Sequence, residues 1–360
     1  MIEDSSFSLD ADVTDAMVRR MVRTLEPEWE VDSIERSPYG TDFVATLDVW
    51  TPDGGQTVVL KATTADLVAP EIARSEPRLL ELIGRETNVP VPTVFGYYDQ
   101  HREYPAPFYL MAYIKGENYE NRVDRLSPQA RETVLREAGR NLADLHSLGP
   151  LPGVGRIGVR DGRLAVLDTD EHPRYDDFRN QLLADCEETL DSLTSGGFFP
   201  ELADDPTRFA DLVPELRQYV RETIPELPPP ELPTYCHHDY RYGNLLLNPE
   251  TGATRAVLDW ANLSAADPAY NLASAEGLLL DPEVDGDDRT DTLRGIFRSA
   301  YAESREGWSF DRAIHGRMYV YRLACRLDAM ACLPLWYRDV SPEERDGRAI
   351  EHREFVAEYI

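Results

Sequence analysis

Acidic and amide side chains that could do chemistry cluster in one stretch of the sequence, residues 234–260. Asp239 precedes Asn244 by five positions, and Asp259 follows an apolar run near the end of the stretch. A carboxylate beside an amide oxygen is oxygen ligation of the kind that suits Mg²⁺. A further carboxylate near such a metal could align a hydroxyl group that accepts phosphate. This stretch is therefore the candidate reaction centre.

The same stretch is predicted to fold as a β-hairpin. Residues 245–247 and 256–258 are apolar runs, and the turn-forming segment Asn248-Pro-Glu-Thr-Gly252 lies between them. Two antiparallel strands joined by this turn place residue 244 level with residues 258 and 259. Asn244 and Asp259 are thus expected side by side at the open end of the hairpin, with Asp239 on the loop that leads into it.

The charge of the chain argues against several classes of partner. Its 360 residues carry a formal net charge of −29, which disfavours nucleic acid and anionic membranes. Only two lysines, Lys61 and Lys115, stand against thirty-five arginines. Because salt screens self-repulsion, this composition suggests a cytoplasm of high salt; equal folding and activity at low salt would contradict that hypothesis.

A cytoplasmic location is also expected from features that the sequence lacks. The N-terminus has no signal-peptide pattern, and no apolar run is long enough to span a membrane. The four cysteines show no paired spacing, which favours free thiols.

The first part of the chain is predicted to contain a small sheet and a helix. Residues 43–50 and 56–63 form a hairpin pattern, in which Lys61 lies on one face of the second strand. A helix is predicted over residues 71–84 and includes Glu76. Since lysine is so rare here, the strand lysine is interpreted as functional.

The whole order of elements predicts an α+β protein with two lobes. A further strand spans residues 107–114, and helices predominate beyond residue 118. Helices are predicted at 8–30, 128–147, 176–193, 206–224, 273–280, 290–305, 312–333 and 342–359. We predict a small sheet-bearing lobe, residues 1–113, and a larger helical lobe, residues 114–360. Ligands favour the cleft between two such lobes.

Phosphoryl transfer requires parts that occur here in a workable order. A lysine holds phosphate oxygens, an acid orients the lysine, an Asp and an Asn hold Mg²⁺, and a further Asp aligns the accepting hydroxyl. The candidates are Lys61, Glu76, Asp239, Asn244 and Asp259. The spacing of Asp239 and Asn244 matches the catalytic loop of protein kinases.

Longer motifs point to a family. The central ones are His237-His-Asp-Tyr-Arg-Tyr-Gly-Asn244 and Val257-Leu-Asp-Trp260, followed by Ala266-Asp-Pro-Ala-Tyr-Asn-Leu-Ala273. Across most of its length the chain resembles the aminoglycoside phosphotransferase and choline-kinase-like small-molecule kinases. The resemblance implies a protein-kinase-like fold that uses ATP and Mg²⁺ and phosphorylates a small hydroxyl-bearing acceptor.

The resemblance also implies roles for individual residues. By similarity Asp239 is the catalytic base, and Asn244 and Asp259 are metal ligands. Lys61 would contact the ATP phosphates and pair with Glu76. The remaining nucleotide contacts would come from the backbone of Ala112 and Ile114, which reads adenine, and from a covering turn near Gly40.

Three departures from the family pattern stand out. His238 replaces a usual Gly, Asn271 replaces a usual Asp that props the catalytic loop, and the glycine-rich loop retains only Gly40. These departures motivate an alternative function, a catalytically weak nucleotide-binding regulatory module of the same fold. A protein kinase ranks lower, because no Ala-Pro-Glu segment follows Asp259.

The neighbouring aromatic and histidine residues are expected to have smaller roles. His237 is expected to form structural hydrogen bonds rather than to bind zinc, since adjacent residues of an extended segment point in opposite directions. Arg241 could contact phosphate or be solvated. Tyr240, Tyr242 and Trp260 are hypothesised to line an acceptor pocket. The acceptor itself cannot be identified from the sequence.

Overall fold

A small antiparallel sheet forms the first lobe of the molecule. The structure is a computed structural model that describes residues 13–37, 42–64, 68–261, 263–280 and 289–360. The strands of this sheet are β1 (Glu30–Arg36), β2 (Phe43–Thr51), β3 (Gly54–Ala62), β4 (Val94–Tyr98) and β5 (Phe108–Ala112). They pair in the order β1-β2-β3-β5-β4. The predicted hairpin of β2 and β3 is confirmed, with Val44 opposite Lys61.

Alternation along β3 explains how Lys61 faces the cleft. Val58, Leu60 and Ala62 are fully buried in the core of the small lobe, whereas Val59 and Lys61 are half-buried on the other face. Successive strand residues point to opposite sides of the sheet, so the strand holds Lys61 away from its apolar neighbours.

Three helices accompany the sheet. They are α1 (Asp15–Leu25), α2 (Pro70–Ala73) and α3 (Ser75–Glu86). Thr14 caps the start of α1 by accepting a hydrogen bond from the Met17 amide. Helix α1 ends at Leu25 and β1 begins at Glu30, so the predicted helix at 8–30 was too long at its C-terminal end. Leu79, Leu80 and Ile83 of α3 pack into the large apolar core of the second lobe. Helix α3 therefore ties the two lobes together.

The second lobe is mainly helical. Its helices are α4 (Pro128–His146), α5 (Phe178–Ser192), α6 (Val213–Thr223), α7 (Pro268–Leu279), α8 (Thr290–Ser304), α9 (Arg312–Trp336) and α10 (Pro342–Val356). Ser127 caps α4 as its sequence predicts, because its hydroxyl accepts from the Ala130 amide. Two predicted starts were wrong: α6 begins at residue 213 rather than 206, and α7 begins at 268 rather than 273.

Short strands in the second lobe support the reaction centre. They are β6 (Gly155–Arg160), β7 (Arg163–Val166), β8 (Thr234–Cys236), β9 (Leu245–Leu247), β10 (Thr254–Val257) and β11 (Ser264–Ala266). A four-stranded sheet has the order β7-β6-β11-β8, and β9 and β10 form a two-stranded sheet. The two-lobed α+β class is confirmed, while the boundary between residues 113 and 114 stays a prediction. In the described part of the chain, no helix is long and apolar enough to cross a membrane.

Candidate active site

The predicted hairpin brings Asn244 and Asp259 together at its open end. Strands β9 and β10 are antiparallel, and the Leu258 amide donates to the Asn244 carbonyl over 2.8 Å. Asp259 has a left-handed backbone, with φ of 61°, which is uncommon for a residue other than glycine and often marks a functional site. Its side chain is 50% exposed, so its carboxylate remains open to a ligand.

Asp239 is held by hydrogen bonds to both of its carboxylate oxygens. Asn244 Nδ2 donates to Asp239 Oδ2 over 2.7 Å and to the Asp239 carbonyl over 2.8 Å. Arg241 Nε donates to Asp239 Oδ1 over 2.8 Å. Because both bonds of Asn244 use its nitrogen, its amide oxygen points away from Asp239 and is free to bind a cation. Together with the Asp259 carboxylate, this oxygen donor set fits Mg²⁺.

Lys61 meets Glu76 from helix α3 and Asp259 from the second lobe. Lys61 Nζ lies 2.7 Å from Glu76 Oε2 and 3.9 Å from Asp259 Oδ1. The expected pairing of Lys61 with Glu76 is thus present in the structure. Glu81 is exposed and Glu71 is half-buried, whereas Glu76 is 5% exposed.

A third carboxylate, which the sequence analysis did not single out, lies beside this lysine. Asp42 Oδ2 is 3.9 Å from Lys61 Nζ. Asp42 directly precedes β2 and is two residues from Val44, the partner of Lys61 across the hairpin. Diagonal neighbours on one sheet face come within reach of long side chains. That register was the signal that could have revealed Asp42.

Burial and charge shift the pKa values of this cluster in a consistent way. Desolvation lowers the pKa of Lys61, but Glu76, Asp259 and Asp42 more than offset it, so the pKa of Lys61 is raised and the ammonium stays charged. Desolvation raises the pKa of Asp42 and of Asp259, against the lowering effect of Lys61. The lysine is thus a charged group between two partly desolvated carboxylates.

Glu76 also connects the two lobes. While its Oε2 accepts from Lys61, its Oε1 accepts from the Trp260 amide over 3.2 Å. Trp260 follows Asp259 in the chain, so one buried carboxylate positions the strand lysine and the segment that carries Asp259.

Asn271 forms two hydrogen bonds to His237, the first residue of the catalytic loop (residues 237–244). Its Oδ1 accepts from the His237 amide over 3.0 Å, and its Nδ2 donates to the His237 carbonyl over 2.7 Å. A carboxylate has no donor for that carbonyl. The amide at position 271 is therefore complementary to the backbone, which gives a physical reason for this departure.

His146 completes this buried scaffold. Its Nε2 lies 3.0 Å from Asn271 Oδ1, and its Nδ1 lies 2.8 Å from the Tyr301 hydroxyl. Since Asn271 Oδ1 can only accept, His146 donates from Nε2 and accepts at Nδ1, which is the neutral tautomer. Desolvation lowers the pKa of His146 to about 3, in agreement with a neutral ring.

The two histidines before Asp239 have different surroundings. His237 Nε2 hydrogen-bonds to the Leu258 carbonyl at 3.0 Å, as expected of a structural residue. His238 Nε2 hydrogen-bonds to the Ser264 hydroxyl, and its ring lies edge-on to Tyr270 with centroids 5.4 Å apart. Desolvation lowers the pKa of His238 to about 3. His238 is thus a neutral, half-buried residue of the catalytic loop.

The segment that follows the lobe-linking strand braces the other side of the loop. Glu117 and Leu247 exchange two backbone hydrogen bonds of 2.9 Å, and the Asn118 side chain donates to the Gly243 carbonyl. Arg241 Nη1 lies 2.7 Å from Glu120 Oε1. Arg241 is therefore paired with Glu120 and Asp239, rather than simply solvated.

The remaining site expectations have mixed outcomes. The Ala112 amide donates to the Thr93 carbonyl over 2.8 Å, and the Ile114 amide has no hydrogen-bond partner in the described part of the chain; the adenine contacts of both residues stay a prediction. Gly40 lies outside the described residues. The hypothesis for the three aromatic residues was wrong, because they are at most 2% exposed and belong to the core: Tyr240, Tyr242 and Trp260.

A small antiparallel sheet over a helical lobe, with a lysine and two acidic loops facing one cleft, defines a protein-kinase-like phosphotransferase. The chain belongs to the phosphotransferase enzyme family known as APH, whose model matches residues 40–313. This result confirms the family resemblance and identifies the chain as a phosphotransferase.

Solved structures share the fold at low sequence identity. The aminoglycoside phosphotransferase APH(4)-Ia, in a ternary complex with AMP-PNP and hygromycin B, has a TM-score of 0.59 and 14% identity, covering 93% of this chain and 97% of that chain. The Plasmodium vivax ethanolamine kinase Pv091845 has a TM-score of 0.58 and 10% identity, covering 95% and 87%.

Curated relatives match over part of the chain. The mouse acyl-CoA dehydrogenase family member 10 is 25% identical over 187 residues, which is 51% of this chain and 15% of the relative. The Arabidopsis thaliana probable acyl-CoA dehydrogenase IBR3 is 27% identical over 188 residues, which is 51% of this chain and 20% of the relative. The matched region thus spans a fifth or less of these longer proteins.

Proposed function

We propose that the protein is an ATP- and Mg²⁺-dependent kinase that transfers the γ-phosphoryl group to a hydroxyl group of a small molecule. The observation that carries this proposal is the meeting of Lys61, Glu76 and Asp259 within 4 Å, next to a loop on which Asn244 fixes Asp239. Phosphoryl transfer depends mainly on positioning and on charge stabilisation, and these residues supply both.

Each residue of the site would have a separate role in the reaction. Lys61 binds phosphate oxygens of ATP, and Glu76 keeps the ammonium in place. Asp239 accepts a hydrogen bond from the acceptor hydroxyl and takes its proton. As a bond forms between the hydroxyl oxygen and the γ-phosphorus, the bond from that phosphorus to the bridging oxygen breaks, and ADP leaves with the electron pair. Arg241, within electrostatic range of both Asp239 and Asp259, would stabilise charge on the transferred group.

Asn244 and Asp259 would hold Mg²⁺ through the amide oxygen and the carboxylate. When bound, Mg²⁺ neutralises charge on the phosphates and orients them for in-line displacement. The carbonyl of Ala112 and the amide of Ile114 would contact adenine. This arrangement of acceptor base and metal ligands favours transfer over the alternative of a regulatory module that only binds nucleotide.

The acceptor would bind beside His238, which directly precedes Asp239 in the chain. Tyr270 is half-exposed next to His238, and its pKa is raised by desolvation and by nearby carboxylates that include Asp328 and Asp185. Desolvation raises the pKa of Asp185 and of Asp328 to about 6.

Two classes of acceptor follow for the first screen. The carboxylates of Asp185 and Asp328 would stabilise an amine. Solved structures of the same fold include an ethanolamine kinase and an aminoglycoside phosphotransferase in complex with hygromycin B. Amino alcohols are therefore tested first. Hydroxylated acyl compounds come second, because both curated relatives are named for acyl-CoA dehydrogenases. Consumption of ATP at high KCl measures turnover with each compound.

The variant Asp239→Asn tests the reaction itself. It keeps the shape of the side chain but cannot take a proton, so kcat should fall roughly a thousandfold while nucleotide affinity changes little. Asp291→Asn is the matched control, since Asp291 is 94% exposed and remote in sequence from the loop. Normal turnover in Asp239→Asn would refute the proposed kinase mechanism. Nucleotide binding without turnover of any acceptor in the wild type would favour the regulatory module.

A further inference from the structure

Asp42 places a negative charge where the phosphates of a nucleotide must approach Lys61. Its carboxylate lies 3.9 Å from Lys61 Nζ, and its side chain is 22% exposed. Glu76, at 2.7 Å, already pairs with the lysine, so Asp42 is a surplus partner. A phosphate oxygen that binds Lys61 would come close to this second carboxylate, and like charges at such distances repel strongly.

The local balance of charge makes this repulsion consequential. Within the described residues, Lys61 and Arg241 are accompanied by five carboxylates: Asp42, Glu76, Glu120, Asp239 and Asp259. Asp259 would be neutralised by the metal that it holds with Asn244. Glu120 and Asp239 share Arg241. Asp42 has Lys61 as an ion-pair partner and accepts a backbone hydrogen bond from Thr64, so it would lose the compensating charge of the lysine once phosphate binds Lys61.

We propose that Asp42 is a specificity-determining residue that couples nucleotide binding to cation concentration. It opposes phosphate binding at Lys61 unless a cation accompanies the nucleotide near Asp42. The site would consequently reject bare nucleotide and accept its cation-loaded form. This inference rests on the proposed function, since it assumes that Lys61 receives phosphate.

Calorimetric titration of the full chain with AMP-PNP tests the proposal, from limiting to saturating free Mg²⁺ at fixed KCl. Asp42→Asn should bind roughly tenfold more tightly than the wild type at limiting Mg²⁺, and the two should converge at saturation. Asp42→Glu retains the charge and should retain the Mg²⁺ dependence of the wild type. This charge-matched variant separates loss of charge from loss of fold.

Asp48→Asn provides a control on β2, the strand that Asp42 precedes. Asp48 is exposed and accepts hydrogen bonds from Ser33 and Thr57, so its replacement should leave the Mg²⁺ dependence unchanged. Parallel binding curves for Asp42→Asn and the wild type, or weaker binding of Asp42→Asn at every Mg²⁺ concentration, would overturn the role of Asp42 alone. Absence of any nucleotide binding by the wild type would overturn the proposed function together with it.

Discussion

The variant Asn271→Asp changes one polar group at a fully buried position and isolates what its amide donor contributes. In the wild type, Nδ2 donates to the His237 carbonyl over 2.7 Å and Oδ1 accepts from the His237 amide over 3.0 Å. A carboxylate keeps the second interaction but leaves the carbonyl facing another acceptor. The catalytic loop begins at that carbonyl, so the loop should be loosened as well.

The expected loss of stability follows from these contacts. A buried carbonyl without a donor costs about 1–3 kcal/mol, and desolvation of the new carboxylate adds to that cost. Donation from His146 Nε2 and from the His237 amide offsets part of it. We therefore expect Asn271→Asp to lower the free energy of unfolding by about 2–3 kcal/mol at about pH 8.

The sign of the pH dependence distinguishes this reasoning from a general loss of packing. Burial, together with the His237 carbonyl facing the second carboxylate oxygen, should outweigh the donors from His146 and the His237 amide and raise the pKa of the new carboxyl in the folded state above its unfolded value. Its contribution to stability is then present at low pH and lost as pH rises through the folded pKa. A protonated carboxyl can again donate to the His237 carbonyl, so the deficit should shrink between about pH 8 and about pH 5.

Urea unfolding at fixed KCl measures the effect, provided that the slope m is unchanged. Asn248→Asp is the matched control, because Asn248 Oδ1 only accepts from the Glu250 and Thr251 amides and a carboxylate can do the same. Wild-type stability of Asn271→Asp at about pH 8, or an equal deficit at both pH values, would refute the argument.

Two further predictions concern the scaffold. Gly252 has φ of +72°, and a Cβ there would lie 2.2 Å from the Ala130 carbonyl oxygen. Gly162 has φ of +74° but has open space around it. Gly252→Ala should therefore lower the free energy of unfolding by more than about 2 kcal/mol, and Gly162→Ala by about 1 kcal/mol. Equal losses in urea unfolding would refute the close contact. The folded-state pKa of His146 is lowered to about 3, so its contribution is lost as pH falls, and this residue should account for about 2 kcal/mol of the loss of stability between about pH 7 and about pH 5. His238 and His352 have similarly lowered pKa values and lose stability over the same range, so His146→Gln should reduce the total loss by about 2 kcal/mol, and an unchanged loss would contradict a neutral buried ring.

The sequence alone predicted the hairpin that carries Asn244 and Asp259. The two strands and their turn lie within one short segment, so pairing needs only local turn chemistry and apolar patterning. Period-two alternation likewise placed Lys61 on the open face of β3. Such features depend on neighbours along the chain, which is why they could be predicted before any fold was known.

Helix ends were less accurately predicted because caps and tertiary contacts, more than periodicity, set them. The start of α7 shows this: Asp267 caps it by accepting from the Ala269 amide, and the helix begins at Pro268, five residues before the predicted beginning. Burial of the aromatic residues around the catalytic loop was also decided by packing. The alternation of polar and apolar residues cannot show whether a side chain lines a cleft or lies in the core when both sides of a loop are covered.

Only the tertiary structure decided which polar groups meet. The pairing of Lys61 with Glu76 was expected from the family resemblance, but the bond from Glu76 to the Trp260 amide depends on how α3 packs against the second lobe. Asp42 beside Lys61 depends on strand register, and the link from His146 to Asn271 joins residues 125 positions apart. Contacts at this separation arise when distant apolar surfaces are buried together, and a linear pattern does not record which surfaces those are.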